Sequence, residues 1–328
     1  VSDAPTMAGS VPLGTPPPAD PVPGAPPGEP PSPLAAHPLS KVIDLPSGGL
    51  FYPDGTRQAR IRPTDGEQEE MIASTPEQSP DRVRAIRQVA QQCSDLGGLP
   101  WDELLVKDFG YLCIHLFALS AGTDEVTLPD VGCDKDDCPL KGKVLSLTTM
   151  PCVYLEEGAP GDLNTVEELD PVIFAAMEAE KAMGEVEDDG LGPIHQKVAP
   201  GSMKEPFKCQ LSSGSTVEWR LHRMKDLEAA EEFARATGDA SLATGAGLGS
   251  FLSARQIVTV DGQSLGTVGA LQWWRKTSSP YLREFRKAIR GVEFGFDMRP
   301  ELRCPRGDCR RKVRVKLPND GSMFRDRD

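Results

Sequence analysis

The chain has 328 residues, 38% of them apolar, and a formal net charge of −13 at pH 7. That length fits one large or two ordinary domains with a real core, and the acidity excludes a molecule whose whole surface seeks nucleic acid, because phosphate contacts need a basic face. The longest apolar run, 111–121, is interrupted by His115 and too short to cross a bilayer. No basic-then-apolar leader opens the sequence, so a soluble protein made in the cytoplasm is expected.

Residues 1–40 hold 13 of the 31 prolines and few large apolar groups. Such a segment cannot bury enough surface to offset its ordering entropy, and it reads as a polyproline-like tail. The next stretch, LPSGGLFYPDG at 45–55, sets Leu50, Phe51 and Tyr52 between two turn signals. The spacing predicts a hairpin edge with the triplet extended and packed onto a core. A phosphate loop would need a lysine followed by Ser or Thr after its glycines, and neither follows.

Further along, 59–72 reads as an alternating strand entering a helix, with Thr64 and Glu67 at capping-box spacing. Ser79-Pro80 opens a second helix with Val83, Ile86, Val89, Ala90 and Cys93 on one face, and Asp108 caps a third that ends near Gly122. The pattern then recurs. Residues 212–221 form a turn and an alternating strand, 226–233 an acidic-start helix, and Ser279-Pro280 opens a helix carrying Leu282, Phe285 and Ile289 that closes at Gly291. Each half finishes as strand, two-cysteine turn and strand, over 126–147 and 292–317.

The expected fold class is therefore α+β: two pseudo-repeats of hairpin, helices and a two-cysteine β-hairpin, with the two hairpins pairing as a zinc ribbon. The expected organisation is a Pro-rich tail (1–40), a first repeat (41–149), an acidic insert (150–205) and a second repeat (206–328). Within the insert, Asp170-Pro171 starts a helix to Gly184, read as a peripheral arm. Charge is segregated. From Arg275 onward there are 16 Lys and Arg against 8 Asp and Glu, which suggests charge complementarity within or between subunits, with a solvated basic face as the alternative.

Cys133 and Cys138 match Cys304 and Cys309 in spacing, and together they supply the four thiolates of a tetrahedral structural Zn2+ site. Two local disulfides or free thiols are the alternative reading. Lys135, Arg306, Arg310 and Arg311 stand close enough in sequence to offset the thiolate charge. Cys93, Cys113, Cys152 and Cys209 sit in apolar or strand-like settings and read as core residues.

No catalytic chemistry is expected. His37, His115, His195 and His222 have no spacing that suggests a base or ligand, and His115 reads as a satisfied core histidine. The run 245–249 lacks a convincing preceding strand and reads as a connector rather than a dinucleotide loop. The acids of 134–137 lack the glycine and distal glutamate of a calcium loop. Neither a small-molecule substrate nor a membrane partner is expected.

LPSGGLFYPDG followed by ARIRPTDGEQEEMI resembles the opening signature of the baseplate hub proteins of contractile-tailed, T-even-like bacteriophages. The resemblance continues through KCQLSSGSTVEWRLHRMKDLEAAEEF and RQIVTVDGQSL into GFDMRPELRCPRGDCRRKVRVKL, covering about 41–317 in spaced blocks. It departs in the x4 spacing of both cysteine pairs, where x2 is more typical, and in the long tail. The resemblance implies a structural component of the tail baseplate in or around its central hub, with other baseplate and tail proteins as partners and the virion as its destination. It also implies that Leu50, Phe51 and Tyr52 lie on the first hairpin, packing inward or against a neighbouring tail protein. A hub assembly chaperone that departs before maturity is a second expectation. A zinc-ribbon adaptor for nucleic acid or a polymerase is a third, motivated by Arg303, Arg306, Arg310, Arg311, Lys312 and Arg314 and opposed by the acidity elsewhere.

Overall fold

Strand β1 (Lys41–Asp44) pairs antiparallel with β2 (Gln58–Ile61), Lys41 opposite Ile61 and Asp44 opposite Gln58. Alternation puts Ile43, Ala59 and Ile61 into the core at 4%, 1% and 0% exposure. The chain is known here from a computed structural model that describes residues 37–76, 80–127, 144–147, 150, 152–158, 193–198, 203–238, 245–292, 294–296, 301–303 and 312–314. Among the described residues there are seven α-helices, three three-stranded sheets and two two-stranded ones, a mixed α+β architecture.

After β2 comes α1 (Gly66–Ala73), capped by Asp65: its carboxylate accepts from the Gln68 amide N–H at 3.0 Å, and the Gln68 side-chain oxygen accepts from the Asp65 N–H at 3.1 Å. The box thus sits one residue beyond the expected Thr64 and Glu67, because Thr64 spends its hydroxyl on Glu69 instead. Next is α2 (Pro80–Cys93), whose Ile86, Val89, Ala90 and Cys93 are buried as its periodicity predicts; Val83 turns outward at 47% exposure. A two-residue strand, β3 (Ser94–Asp95), returns antiparallel to β2. A 3-10 turn (Trp101–Glu103) leads into the largely buried α3 (Val106–Ala121), which ends at Gly122 with φ 67°. Strands β4 (Glu125–Thr127) and β5 (Val144–Ser146) then form an antiparallel hairpin.

Both ends of the acidic insert are built into the body. β6 (Cys152–Glu157) runs parallel to β7 (Pro193–Val198), with Cys152, Leu155 and Val198 buried. The insert is therefore not peripheral at its edges; the helix expected over 170–184 lies outside the described residues.

The second half opens in the same element order as the first. β8 (Phe207–Gln210) pairs with β9 (Thr216–Trp219), followed by α4 (Met224–Thr237), α5 (Gly245–Arg255) and the returning strand β10 (Ile257–Val260) beside β9. Then come α6 (Gly266–Lys276), α7 (Ser279–Arg290), the short β11 (Gly295–Phe296), which pairs with β6, and the hairpin β12 (Glu301–Arg303) and β13 (Lys312–Arg314). As expected, α7 opens with Pro280 in its first turn and closes at Gly291. The run 245–249 is the start of a helix rather than a connector, anchored by buried Phe251 and Ala254.

The opening sheets of the two halves agree in register. Ile61 lies between Lys41 and Ser94, as Trp219 lies between Phe207 and Ile257. One residue on, the Arg62 N–H donates to the Cys93 carbonyl at 2.9 Å and the Arg220 N–H to the Gln256 carbonyl at 2.9 Å. One core serves both halves, with Val89, Leu112, Val217 and Phe285 all buried in the same cluster. Among the described residues no helix is long and apolar enough to cross a membrane.

Candidate functional site

Equivalent hairpins differ most at their tips. In the second half Leu211 donates back to the Ser215 carbonyl across a three-residue turn; in the first, Leu45 makes the same bond to Arg57 across LPSGGLFYPDG. The enlarged tip is not extended, as expected from the sequence, but a chain of turns: Leu50 N–H bonds Ser47, Tyr52 bonds Gly49 and Gly55 bonds Tyr52 through backbone carbonyls. The two central glycines are required. Gly48 (φ 60°) lies so close to the chain that a Cβ would stand 2.1 Å from the Leu155 carbonyl oxygen, and one at Gly49 (φ 74°) would stand 2.6 Å from that of Gly55. Pro46 accepts from the Leu155 N–H at 2.9 Å, tying the tip to β6.

This tip reaches into the other half. Phe51 stacks on Phe294 at 5.8 Å and meets Phe207 edge-on at 6.1 Å, so one ring joins the first hairpin to the first strand of the second half and to the residues after its α7. Tyr52 donates its hydroxyl to Asp108 at 2.5 Å and accepts from the Leu105 N–H at 3.1 Å, while Asp108 also accepts from the Ser47 N–H at 3.1 Å. Asp108 is thus taken by the loop rather than used as the cap of α3, whose N-terminus has no side-chain cap. Burial pushes the Asp108 carboxyl up to about 6, against the hydrogen bonds from Ser47 and Tyr52. Burial first, and the Asp108 charge second, raise the Tyr52 phenol above its ordinary range. Of the three candidate interface residues, Phe51 and Tyr52 pack inward, and Leu50 is half-buried against the same core. Beside them a cleft of about 440 Å3 is bordered by Leu50, Phe51, Pro53, Val198, Met203 and Lys204.

A second seam joins the residues that precede α3 and α4. The Val106 N–H donates to the His222 carbonyl at 3.0 Å and the Met224 N–H to the Leu104 carbonyl at 2.9 Å. Charges reinforce it: Glu103 pairs with Arg223 at 3.1 Å and with Lys225, and Arg223 reaches Glu205 at 2.5 Å. Under it lies Asp226, fully buried, held by Arg220 through two hydrogen bonds of 2.8 and 2.7 Å, by Arg255 at 3.2 Å and by the Arg223 N–H at 3.0 Å. Burial pushes the Asp226 carboxyl up, but Arg220, the Arg223 N–H and Arg255 more than offset this and hold it below the ordinary carboxylate range. Arg62 occupies the matching place in the first half, bonding the next carbonyl, of Pro63, at 3.0 Å and standing 3.5 Å from Gln68; Arg220 bonds that of Leu221 at 3.0 Å. Sequence reasoning passed over this pair, although the signal was present: an arginine follows each central strand and a polar residue comes six positions later.

A larger cleft of about 660 Å3 lies between β1, α3 and β6, lined by Tyr111, His115, Tyr154 and His195 among others. Tyr111 and Tyr154 share a 2.8 Å hydroxyl contact, Tyr154 stacks on His195 at 5.1 Å, and His195 bonds Glu156 at 2.7 Å. His115 is not the satisfied core histidine expected. Among the described residues its buried Nε2 has no hydrogen-bond partner, and burial, with the Lys41 charge, lowers its pKa to about 4. Cys93, Cys113 and Cys152 are buried, and Cys209 is half-buried. Burial raises all four thiols, most simply at Cys113, which leaves them unreactive.

Cys133, Cys138, Cys304 and Cys309 lie outside the described residues. What is described is their setting in the chain: the first pair falls between the strands of β4–β5 and the second between those of β12–β13, each an antiparallel hairpin. Among the described residues no group of three or more His, Cys, Asp or Glu is placed to hold a metal. Compared with known proteins, the chain matches no family model, no curated protein and no solved structure.

Proposed function

We propose that the protein is a structural component of a contractile-tail phage baseplate, in or around the central hub. The observation that carries this reading is where the resembling segments fall. LPSGGLFYPDG is the tip that bridges the halves through Phe51, ARIRPTDGEQEEMI contains Arg62 and the α1 cap, and KCQLSSGSTVEWRLHRMKDLEAAEEF spans β8 to α4 with Arg220 and Asp226. Of these segments, the tip and the stretch from β8 to α4 carry contacts that weld the two halves into one body. Welding of that kind suits a rigid building block.

In this reading Cys133, Cys138, Cys304 and Cys309 hold a structural Zn2+ as a closed four-thiolate site that joins the two cysteine hairpins into a ribbon and supplies rigidity. The partners are other baseplate and tail proteins, and the destination after synthesis in the host is the virion tail. Quantitative mass spectrometry of purified virions tests the proposal. A fixed copy number per particle is expected; absence from the particle, with presence in assembly intermediates, assigns the protein to the chaperone class instead.

A further inference from the structure

Helix α7 divides its residues sharply. Tyr281, Leu282, Phe285 and Ile289 turn toward the core, while Arg283, Arg286, Lys287 and Arg290, spaced i, i+3, i+4 and i+7, form one exposed row about 10 Å long. Arg275 and Lys276, at the end of α6, are exposed as well. Glu284, the one acid on α7, does not neutralise the row, because Ser212 holds it through its N–H at 2.8 Å and its hydroxyl at 2.6 Å. Among the described residues the four cations make no ion pair; Arg286 has only the Trp274 ring, at 5.1 Å. In a chain of net charge −13 this is an unusual face for the described residues to leave uncovered.

The chain also carries a complement. Helix α1, of 8 residues against the 12 of α7, exposes Glu67 and Glu70 one turn apart, and among the described residues neither is ion-paired. We propose that the α7 row docks on the acidic α1 face of a second copy of this chain. The contact joins two different surfaces, so it is head-to-tail, and each added copy leaves a fresh row and a fresh acidic face at the ends. Nucleic acid is the poorer occupant. An acidic body repels a polyanion along its length, and a row of four cations is shorter than the roughly six to ten phosphate contacts of a duplex-binding surface. The proposal does not depend on the baseplate reading.

Sedimentation velocity of the full chain, at about 0.05 M and about 0.5 M salt, provides the test. Concentration-dependent species larger than the monomer are expected at the lower salt and should recede at the higher. The variants Arg283→Glu/Lys287→Glu and Glu67→Lys/Glu70→Lys are each expected to weaken association by about tenfold or more, with unchanged circular dichroism, and mixing them should restore mixed assemblies. A monomer at all salts and concentrations overturns the proposal, as does association that survives either reversal or is not recovered on mixing. Binding of a DNA duplex that is lost in the α7 variant, without self-association, overturns it in favour of a nucleic-acid surface.

Discussion

Arg220 and Asp226 are joined by two parallel hydrogen bonds under the seam between the halves, and Arg62 and Gln68 stand in the corresponding places of the first half. The same scaffold position thus sets an arginine against a neutral amide in one copy, with the Asp65 carboxylate 3.8 Å away, and against a fully buried carboxylate in the other. Asp226→Asn should cost about 3–5 kcal/mol, because Arg220 and Arg255 keep their charges with no anion between them. Arg62→Met should cost about 1 kcal/mol. Urea unfolding of the two variants at neutral pH checks the contrast. The sign with pH follows from the lowered Asp226 pKa: its contribution is complete above the unfolded value and is lost as pH falls through the folded one.

Asp108 behaves in the opposite sense. Its folded pKa of about 6 lies above the ordinary carboxylate value, so the folded protein binds the proton more tightly than the unfolded chain does. Its contribution is therefore present at pH below the unfolded value and declines as pH rises through about 6. Tyr52→Phe removes a donor to Asp108 and strands the Leu105 N–H, at a cost of about 2 kcal/mol at pH 7. It should also move the declining limb to higher pH. Unfolding free energies of wild type, Tyr52→Phe and Asp108→Asn across that range test this, with the limb absent from the asparagine variant.

His115 has its pKa lowered to about 4 by burial, and among the described residues its Nε2 has no partner. Stability from this group is full above the unfolded value and falls with pH toward 4. A His115→Phe variant, which keeps a flat ring against Tyr111 and Phe296, should gain about 2 kcal/mol over wild type at pH 5 and less at pH 7.5. Thermal melts at the two pH values measure it.

Phe51 is the ring that spans the two halves. Phe51→Ala should cost about 3–5 kcal/mol, the cost of emptying a packed aromatic site. Val83→Ala, on the exposed side of α2, should lie within about 0.5 kcal/mol of wild type. Equal effects at the two positions would contradict the bridging role of the hairpin tip.

For the cysteines, protein purified without added metal should carry about one zinc per chain, lose stability when treated with a chelator, and lose the metal in a Cys304→Ser variant. Elemental analysis and melting temperature report both. A variant as stable as the parent, or zinc far below stoichiometric, removes the proposed site.

Several features of this protein are encoded locally. Turn residues, alternation and helical periodicity place β2, α2, β9 and α7 where the residues indicate, and the recurring order of those elements is legible in the chain because each depends on neighbours a few positions away. Contacts between distant segments decided the rest. Asp108 serves the Ser47–Tyr52 loop because that loop, 56 to 61 positions earlier, packs over it; Val83 faces outward because the core meets the other side of α2; and the cap of α1 moved to Asp65 once Thr64 had bonded Glu69. That LPSGGLFYPDG is an enlarged hairpin tip, and that its Phe51 closes on Phe294 far along the chain, follows only from packing both halves on one core. Local pattern states which side of an element is apolar, whereas the partner that covers it is chosen by the shape and charge of surfaces assembled from the whole chain.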